Sequence, residues 1–360
     1  MLSIDVPAIS VQSDIYEVID DLRNKRRRSE EVFIHLDNER RVTLDHSDFS
    51  KDDNSNTIDL CNNCVIFAPA LYKFEKPKPG YKVTCGDCYG NDRQLAFGTS
   101  DGNILYLTID AATEKVKCQN LETHILHTNQ VKFVPPNNSS DINVQTARYL
   151  ISSGMDYEMR FHDLNSGKIV CAAKNIKGMV SDIVFTSPSE FYTLCERNGV
   201  VQSWSFDDGI CEEYPFEMSV LGLHEDDKIQ TIAFSEVHGL IYGTLKGLFV
   251  NNKLVFEHGN ITQISLGPNG SIGLRSDNSV ILISSCFEPK AQFTFQQSVS
   301  QIILKTDRKL YVRTESTVYD ITIDNGEQSA AIAVLSADCE FMTSEGKALF
   351  TLGKTIRVFN

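Results

Sequence analysis

A turn residue followed by an apolar residue three positions on, and a bulky one six positions on, recurs along most of this chain. Asp101 leads to Ile104 and Leu107, Asp156 to Met159 and His162, and Asn198 to Val201 and Trp204. Asp277 leads to Val280 and Ile283, Glu315 to Val318 and Ile321, and Gly353 to Ile356 and Phe359; Lys246 with Phe249 is a weaker member. The six intervals from 101 to 353 average 42 residues. That spacing falls inside the ~40–45 residue period of a four-stranded propeller blade. One blade cannot bury both faces of its sheet, so blades stack side by side. The anchors predict an all-β, seven-bladed propeller, with eight blades if Asn62 and Val65 begin another.

The texture between anchors agrees. Short β-branched and aromatic runs such as Val32–Leu36, Asn103–Leu107, Lys228–Phe234 and Val280–Ile283 alternate with Gly, Asn, Asp and Ser. Many short strands at near-even spacing point to an all-β barrel, sandwich or propeller. Thr355–Asn360 has the pattern of a third strand, so a fourth must come from elsewhere. An early strand, Val32–Leu36 or Arg41–Leu44, is expected to supply it and to cover the exposed edge. The predicted organisation is residues 1–31 as an N-terminal helix and basic linker, and 32–360 as the propeller.

The stretch Leu150–Lys168 resembles a blade of the WD-repeat family, with a strand, a tight turn at Asp156, a second strand and the closing Asp163-Leu164-Asn165-Ser166-Gly167-Lys168. Asn198–Phe206 places the sole tryptophan, Trp204, at the family's Trp position. His127, His224 and His258 each precede a predicted first strand, where the family often has Gly-His. The resemblance spans roughly residues 32–360. It implies a non-enzymatic scaffold presenting loops to protein partners. No blade keeps an intact Trp-Asp pair, which puts the family's His–Ser–Asp–Trp network in question for most blades. Segment 150–206 is also similar to the small WD-repeat subunits of the nuclear pore's Y-shaped scaffold. Family members that serve as ubiquitin-ligase adaptors carry Asp-x-Arg after the third strand; Asp163-Leu164-Asn165 lacks the Arg.

Charge narrows the partners. The formal net charge is −14, and five of the basic residues crowd into Arg23–Arg28. A body this acidic repels phosphate backbones, so nucleic-acid binding is disfavoured and basic protein surfaces fit better. No run approaches the ~18 apolar residues of a membrane span. Met1–Asp5 has neither a basic start nor a long apolar stretch, so no secretory signal is expected. The ten cysteines are then expected to be reduced thiols inside the cell.

Chemistry-bearing motifs are few. Cys61, Cys64, Cys85 and Cys88 form two C-x2-C pairs with a spacing that suits a structural zinc. Zinc needs both pairs in turns, because positions i and i+3 of an extended strand face opposite sides. No other cofactor is expected. Gly98-Thr99-Ser100-Asp101-Gly102 matches the hydrolase nucleophile elbow, but a strand rather than a helix follows, so it reads as a hairpin turn. Ala348–Thr355 fits a loose phosphate loop but lacks the helix that would hold phosphate. No catalytic constellation of His, Asp and Glu is visible, and the chain is not expected to be an enzyme.

Near the start, Asp14 and Glu17 form a capping box, and Ile15, Val18, Ile19 and Leu22 repeat with helical spacing. That apolar stripe docks either on this chain or on a partner, and periodicity cannot choose between them. Lys25-Arg26-Arg27-Arg28 reads equally as a nuclear import signal or as charge complementing a helix C-terminus. The sequence thus predicts an intracellular subunit of a multiprotein assembly, nuclear in preference to cytoplasmic. The nuclear pore scaffold is the specific expectation; the alternatives are a ubiquitin-ligase adaptor and, behind it, an enzyme with its site at the propeller mouth.

Overall fold

A computed structural model describes the chain except residues 7–8, 12–16, 19–20, 23, 37, 46–57, 60–64, 68–71, 76–80, 91–93, 111–114, 122–123, 137–145, 174–175, 196, 208–209, 215–227, 316, 324–329, 337–338, 346–347, 353–354 and 360. The chain divides into two compact units. The first comprises residues 1–75, 267–340 and 351–360; the second comprises 76–266 and 341–350.

The second unit holds four antiparallel blades, each a meander of four strands, here a to d. Blade 1 is Val83–Tyr89, Gln94–Thr99, Ile104–Asp110 and Lys115–Leu121. Blade 2 is Thr128–Phe133, Tyr149–Gly154, Met159–Asp163 and Lys168–Ala173. Blade 3 is Val180–Phe185, Glu190–Cys195, Val200–Asp207 and Ile210–Tyr214. Blade 4 is Thr231–Ser235, Gly239–Gly243, Gly247–Val250 and Lys253–Glu257. Burial explains the texture of the sequence. Every residue of Gln94–Thr99 is buried, because strand b is covered on both faces. Strand d of the same blade is an edge and exposes Lys115 and Lys117, charges that discourage further pairing.

Each blade seals its face against the next. Ile151, Met159 and Phe161 of blade 2 share a core with Phe191, Trp204 and Phe206 of blade 3, and the rings of Phe161 and Phe206 stack at 4.3 Å. Burying a side chain of this size contributes roughly 1.5–3 kcal/mol. Polar ties join the a strands. Asp87 accepts from the Phe133 amide (2.9 Å) and from Lys132 Nζ (2.8 Å). Gln130 donates to the Ser181 carbonyl. Asp182 accepts from Thr231 Oγ1 (3.1 Å) and from the Ile232 amide (3.3 Å).

The first unit holds two further blades. Blade 5 is Ile272–Ser276, Ser279–Ile283 and Pro289–Phe295, extended by Leu2–Val6 running parallel to Pro289–Phe295. Blade 6 is Gln301–Leu304, Lys309–Arg313, Val318–Ile323 and Ala330–Ser336, extended by Val65–Phe67, again in parallel. Among the described residues six sheets are meanders of consecutive strands, against the expected seven or eight blades. After Ser336 come three strands, Phe341–Glu345, Ala348–Leu352 and Thr355–Phe359, and an early strand completes a four-stranded sheet with them. That last strand, Thr355–Phe359, pairs antiparallel with Tyr72–Glu75. The strands expected to cover this edge do something else: Ser29–Leu36 pairs with Asn38–Asp45, in a three-stranded sheet with Ile9–Val11.

The expected helix over Ile15–Leu22 is also corrected. Among the described residues no helix is delineated there, and helical backbone is confined to Glu17, Val18, Asp21 and Leu22. The segment does not run on past Lys25, which takes the left-handed conformation that a right-handed helix cannot continue through. It ends in a Schellman turn: Arg26 N donates to Asp21 O (2.8 Å), Lys25 N to Leu22 O (3.1 Å), and Lys25 sits at φ 55. Among the described residues no helix is long and apolar enough to cross a membrane.

Candidate functional site

The b–c turns carry the anchors read from the sequence, and the turn of blade 2 is the most elaborate. Asp156 faces His124, which lies in the loop entering blade 2. His124 Nδ1 is 2.9 Å and 3.0 Å from the two carboxylate oxygens. The other ring nitrogen of His124 lies 2.8 Å from Ser152 Oγ, and Ser152 Oγ lies 2.7 Å from His162 Nε2. One tautomer set satisfies the chain: His162 donates to Ser152, Ser152 to His124, and His124 to an ionised Asp156. Asp156 also accepts from the Ile125 amide (3.2 Å) and from Arg160 Nη2 (3.2 Å). At the far end, His162 Nδ1 is buried with no hydrogen-bond partner among the described residues.

Burial pulls the His124 pKa down, against the pull of Asp156, which leaves the ring neutral. Burial alone would raise Asp156, but His124 and the amides of Ile125 and Glu158 outweigh it and hold the carboxyl below its ordinary range. His162 is pushed down to about 3, chiefly by burial; any protonation of neighbouring His124 and the Arg160 charge act in the same direction.

Ser152, His124 and Asp156 have the connectivity of a nucleophile, base and orienting acid. Their setting does not suit catalysis. Ser152 is 0% and His124 2% exposed, and the serine hydroxyl is already engaged on both sides. The same geometry suits a clamp that fixes the loop 124–127 against the b–c turn. Gly154 makes room for it, since a Cβ there would meet the His124 ring. Gly102, at φ +85, holds the other side: His124 N donates to Gly102 O (3.0 Å), and a Cβ at Gly102 would collide with the carbonyls of His124 and Leu126.

The result is a rigid loop with apolar side chains outward. Ile125 is 79% and Leu126 54% exposed. Beside them Met155, whose amide donates to His127 O (2.9 Å), and Tyr157 at φ 61 are also exposed. A cavity of about 570 Å³ adjoins, lined by His127, Asn129, Met179, Val180, Ser181 and Arg197.

The residues singled out from sequence fare differently. Cys61 and Cys64 lie outside the described residues. Cys85 and Cys88 lie on extended strand a of blade 1, three positions apart and so on opposite faces. Cys85 Sγ faces the Thr128 carbonyl (3.7 Å), and burial pushes its pKa up to about 12. Cys88 Sγ sits 3.5 Å from Thr343 Oγ1. Val18 and Leu22 are buried within this chain, which places that part of the stripe in cis; Ile15 and Ile19 lie outside the described residues. Lys25, Arg26, Arg27 and Arg28 are exposed, with Arg26 and Arg27 paired to Asp21 and Arg27 also to Glu30. The expected blade-start histidine of blade 2, His127, lines the cavity, and His124 three positions earlier makes the network. Spacing from Asp156 could not separate the two; only the loop path does.

No protein-family model matches the chain, and no curated protein matches it in sequence. Solved structures do match in fold. One is the β-propeller domain of Cps50 (Swd1) from Myceliophteria thermophila, 14% identical, with a TM-score of 0.59 over 80% of this chain and 99% of that one. Another is Sqt1 of Saccharomyces cerevisiae, 12% identical, with a TM-score of 0.56 over 81% of this chain and 98% of that one. At such identities the likeness shows the fold alone, a β-propeller.

Proposed function

We propose that this protein is a non-enzymatic interaction scaffold, a propeller subunit of a multiprotein assembly. One observation carries the proposal. Ser152 and His124 are sealed from solvent and, with Asp156, hold a loop whose apolar side chains face outward. A catalyst would expose the hydroxyl and bury the loop tip. Binding sites on such frames are loops positioned by a rigid scaffold. The finer home, a subunit of the nuclear pore's Y-shaped scaffold, is supported by the sequence of residues 150–206. The exposure of Lys25–Arg28 leaves that segment open to an import receptor.

The test is purification of the tagged full chain from its native cells, followed by size-exclusion chromatography at low and moderate salt. Stoichiometric partners co-eluting with the chain are the expected result. Elution alone, at the mass of the free chain under every lysis condition, would overturn the proposal.

A further inference from the structure

The loop face of blades 1 to 3 combines two features that soluble surfaces rarely juxtapose. The first is apolar. Ile125, Leu126, Met155 and Tyr157 are all more than 40% exposed, and they belong to two turns joined by the His127–Met155 backbone bond. Contiguous apolar side chains rimmed by polar ones mark an interaction site. They are also presented at a conformational cost: Tyr157, a bulky aromatic, holds a positive φ. The second feature is charge. Lys82, Lys177 and Arg197 are exposed on the turns around the patch, and among the described residues none has a carboxylate within ion-pair distance. Lys82 lies close enough to His127 to help burial push the histidine's pKa down. Glu158 is the exposed acid of these turns among the described residues, and it is engaged by Arg160 at 2.7 Å. On a chain of net charge −14, exposed basic side chains outnumber exposed acidic ones on this face among the described residues.

We infer that this face docks an acidic peptide segment of a partner protein, which seats one apolar side chain in the cavity between His127 and Arg197. The inference rests on the scaffold reading above and names the chemistry of one partner. The apolar anchor matches the Met179 and Val180 lining. Carboxylates flanking it match Arg197, Lys177 and Lys82. Desolvated anchors carry the affinity of such an interface, and rim charges set its on-rate and salt dependence.

The experiment selects short random peptides, displayed on phage, against the full chain. The enriched peptide is then synthesised with a fluorescent label and titrated against wild type, Ile125→Asp and Arg197→Glu. Both substitutions are at exposed positions, and circular dichroism confirms that each variant keeps the wild-type fold. The expected result is enrichment of peptides with several Asp or Glu around one large apolar residue, weakened about tenfold or more by either substitution. Enrichment without acidic bias, equal binding by all three proteins, or preference for a labelled oligonucleotide would overturn the inference. The same variants, purified from native cells, separate the two levels of the argument. Partners retained by both variants sink this docking site and leave the scaffold reading standing; no partners even for wild type sinks the scaffold reading.

Discussion

His162 and Trp204 occupy the same place in consecutive blades. Each lies on strand c, opposite Leu150 and Phe191 respectively, and each donates toward a hydroxyl on strand b: His162 Nε2 lies 2.7 Å from Ser152 Oγ, and Trp204 Nε1 lies 2.9 Å from Thr193 Oγ1. An indole brings one N–H and no second polar atom. An imidazole brings a second nitrogen, and in His162 that atom is buried without a partner among the described residues. An unsatisfied buried acceptor costs about 1–3 kcal/mol. Blade 2 therefore keeps the hydroxyl chain through His124 and Asp156, at the expense of one orphan nitrogen.

That orphan makes stability depend on pH. His162 titrates near 3 in the folded chain, and His124 is also lowered, whereas unfolded histidine titrates near 6.5. The unfolded state binds protons first as pH falls, so the stabilisation is complete above about 6.5 and is lost from there down toward 3. His162 contributes a slope of up to about 1.4 kcal/mol per pH unit in that window, and His124 adds in the same direction. Urea unfolding at a series of pH values should show the slope, and His162→Phe should flatten it. An unchanged slope in the variant would remove His162 from the account.

Asp156→Ala strips the acceptor from His124, the Ile125 amide and Arg160 at once. A loss of roughly 2–4 kcal/mol is expected, because the His124 ring stays buried without its acceptor. Gly154→Ala should mimic part of this by displacing the His124 ring. Chemical denaturation measures both. If Asp156→Ala changed stability by only a few tenths, the clamp would be no clamp.

Trp204 is 2% exposed and is the only tryptophan, so its fluorescence reports the core shared by blades 2 and 3. The native emission should be blue-shifted and poorly quenched by acrylamide, with a red shift on unfolding. Trp204→Phe removes the donor to the buried Thr193 hydroxyl and should cost about 1–3 kcal/mol.

Thiol chemistry separates the cysteines. Cys85 and Cys195 are buried with pKa values pushed up to about 12 and about 11, so neither offers thiolate at neutral pH. Cys118 and Cys286 are exposed. Under native conditions an alkylating reagent should label Cys118 and Cys286 first, with Cys85 and Cys195 following only on unfolding. Mass spectrometry of tryptic peptides reads the order directly. Early labelling of Cys85 would contradict its placement on strand a.

Blade texture was legible in the sequence because burial writes itself into residue choice. The anchors Asp101, Asp156 and Asn198 fall in b–c turns, and the runs beside them are strands, since a sheet covered on both faces selects apolar side chains. The count of blades was not legible, because an anchor marks a turn and a strand, whereas a blade needs four strands to pair. Of the four cysteines with metal-site spacing, Cys85 and Cys88 lie on an extended strand, and Cys61 and Cys64 lie outside the described residues. Net charge pointed to basic partners, but a total says nothing of one face, and the turns around Ile125 carry Lys82, Lys177 and Arg197.

The amino-acid sequence by itself determined that this chain builds sheets of one repeating design, because periodicity and turn chemistry are local. Only the tertiary structure decided that His124, and not His127, meets Ser152 and Asp156. It also decided that Val18 and Leu22 turn inward and that Ile125 and Leu126 stay outside. Those outcomes depend on which distant turns close on one another, and that pairing is set by long-range packing, which no local pattern encodes.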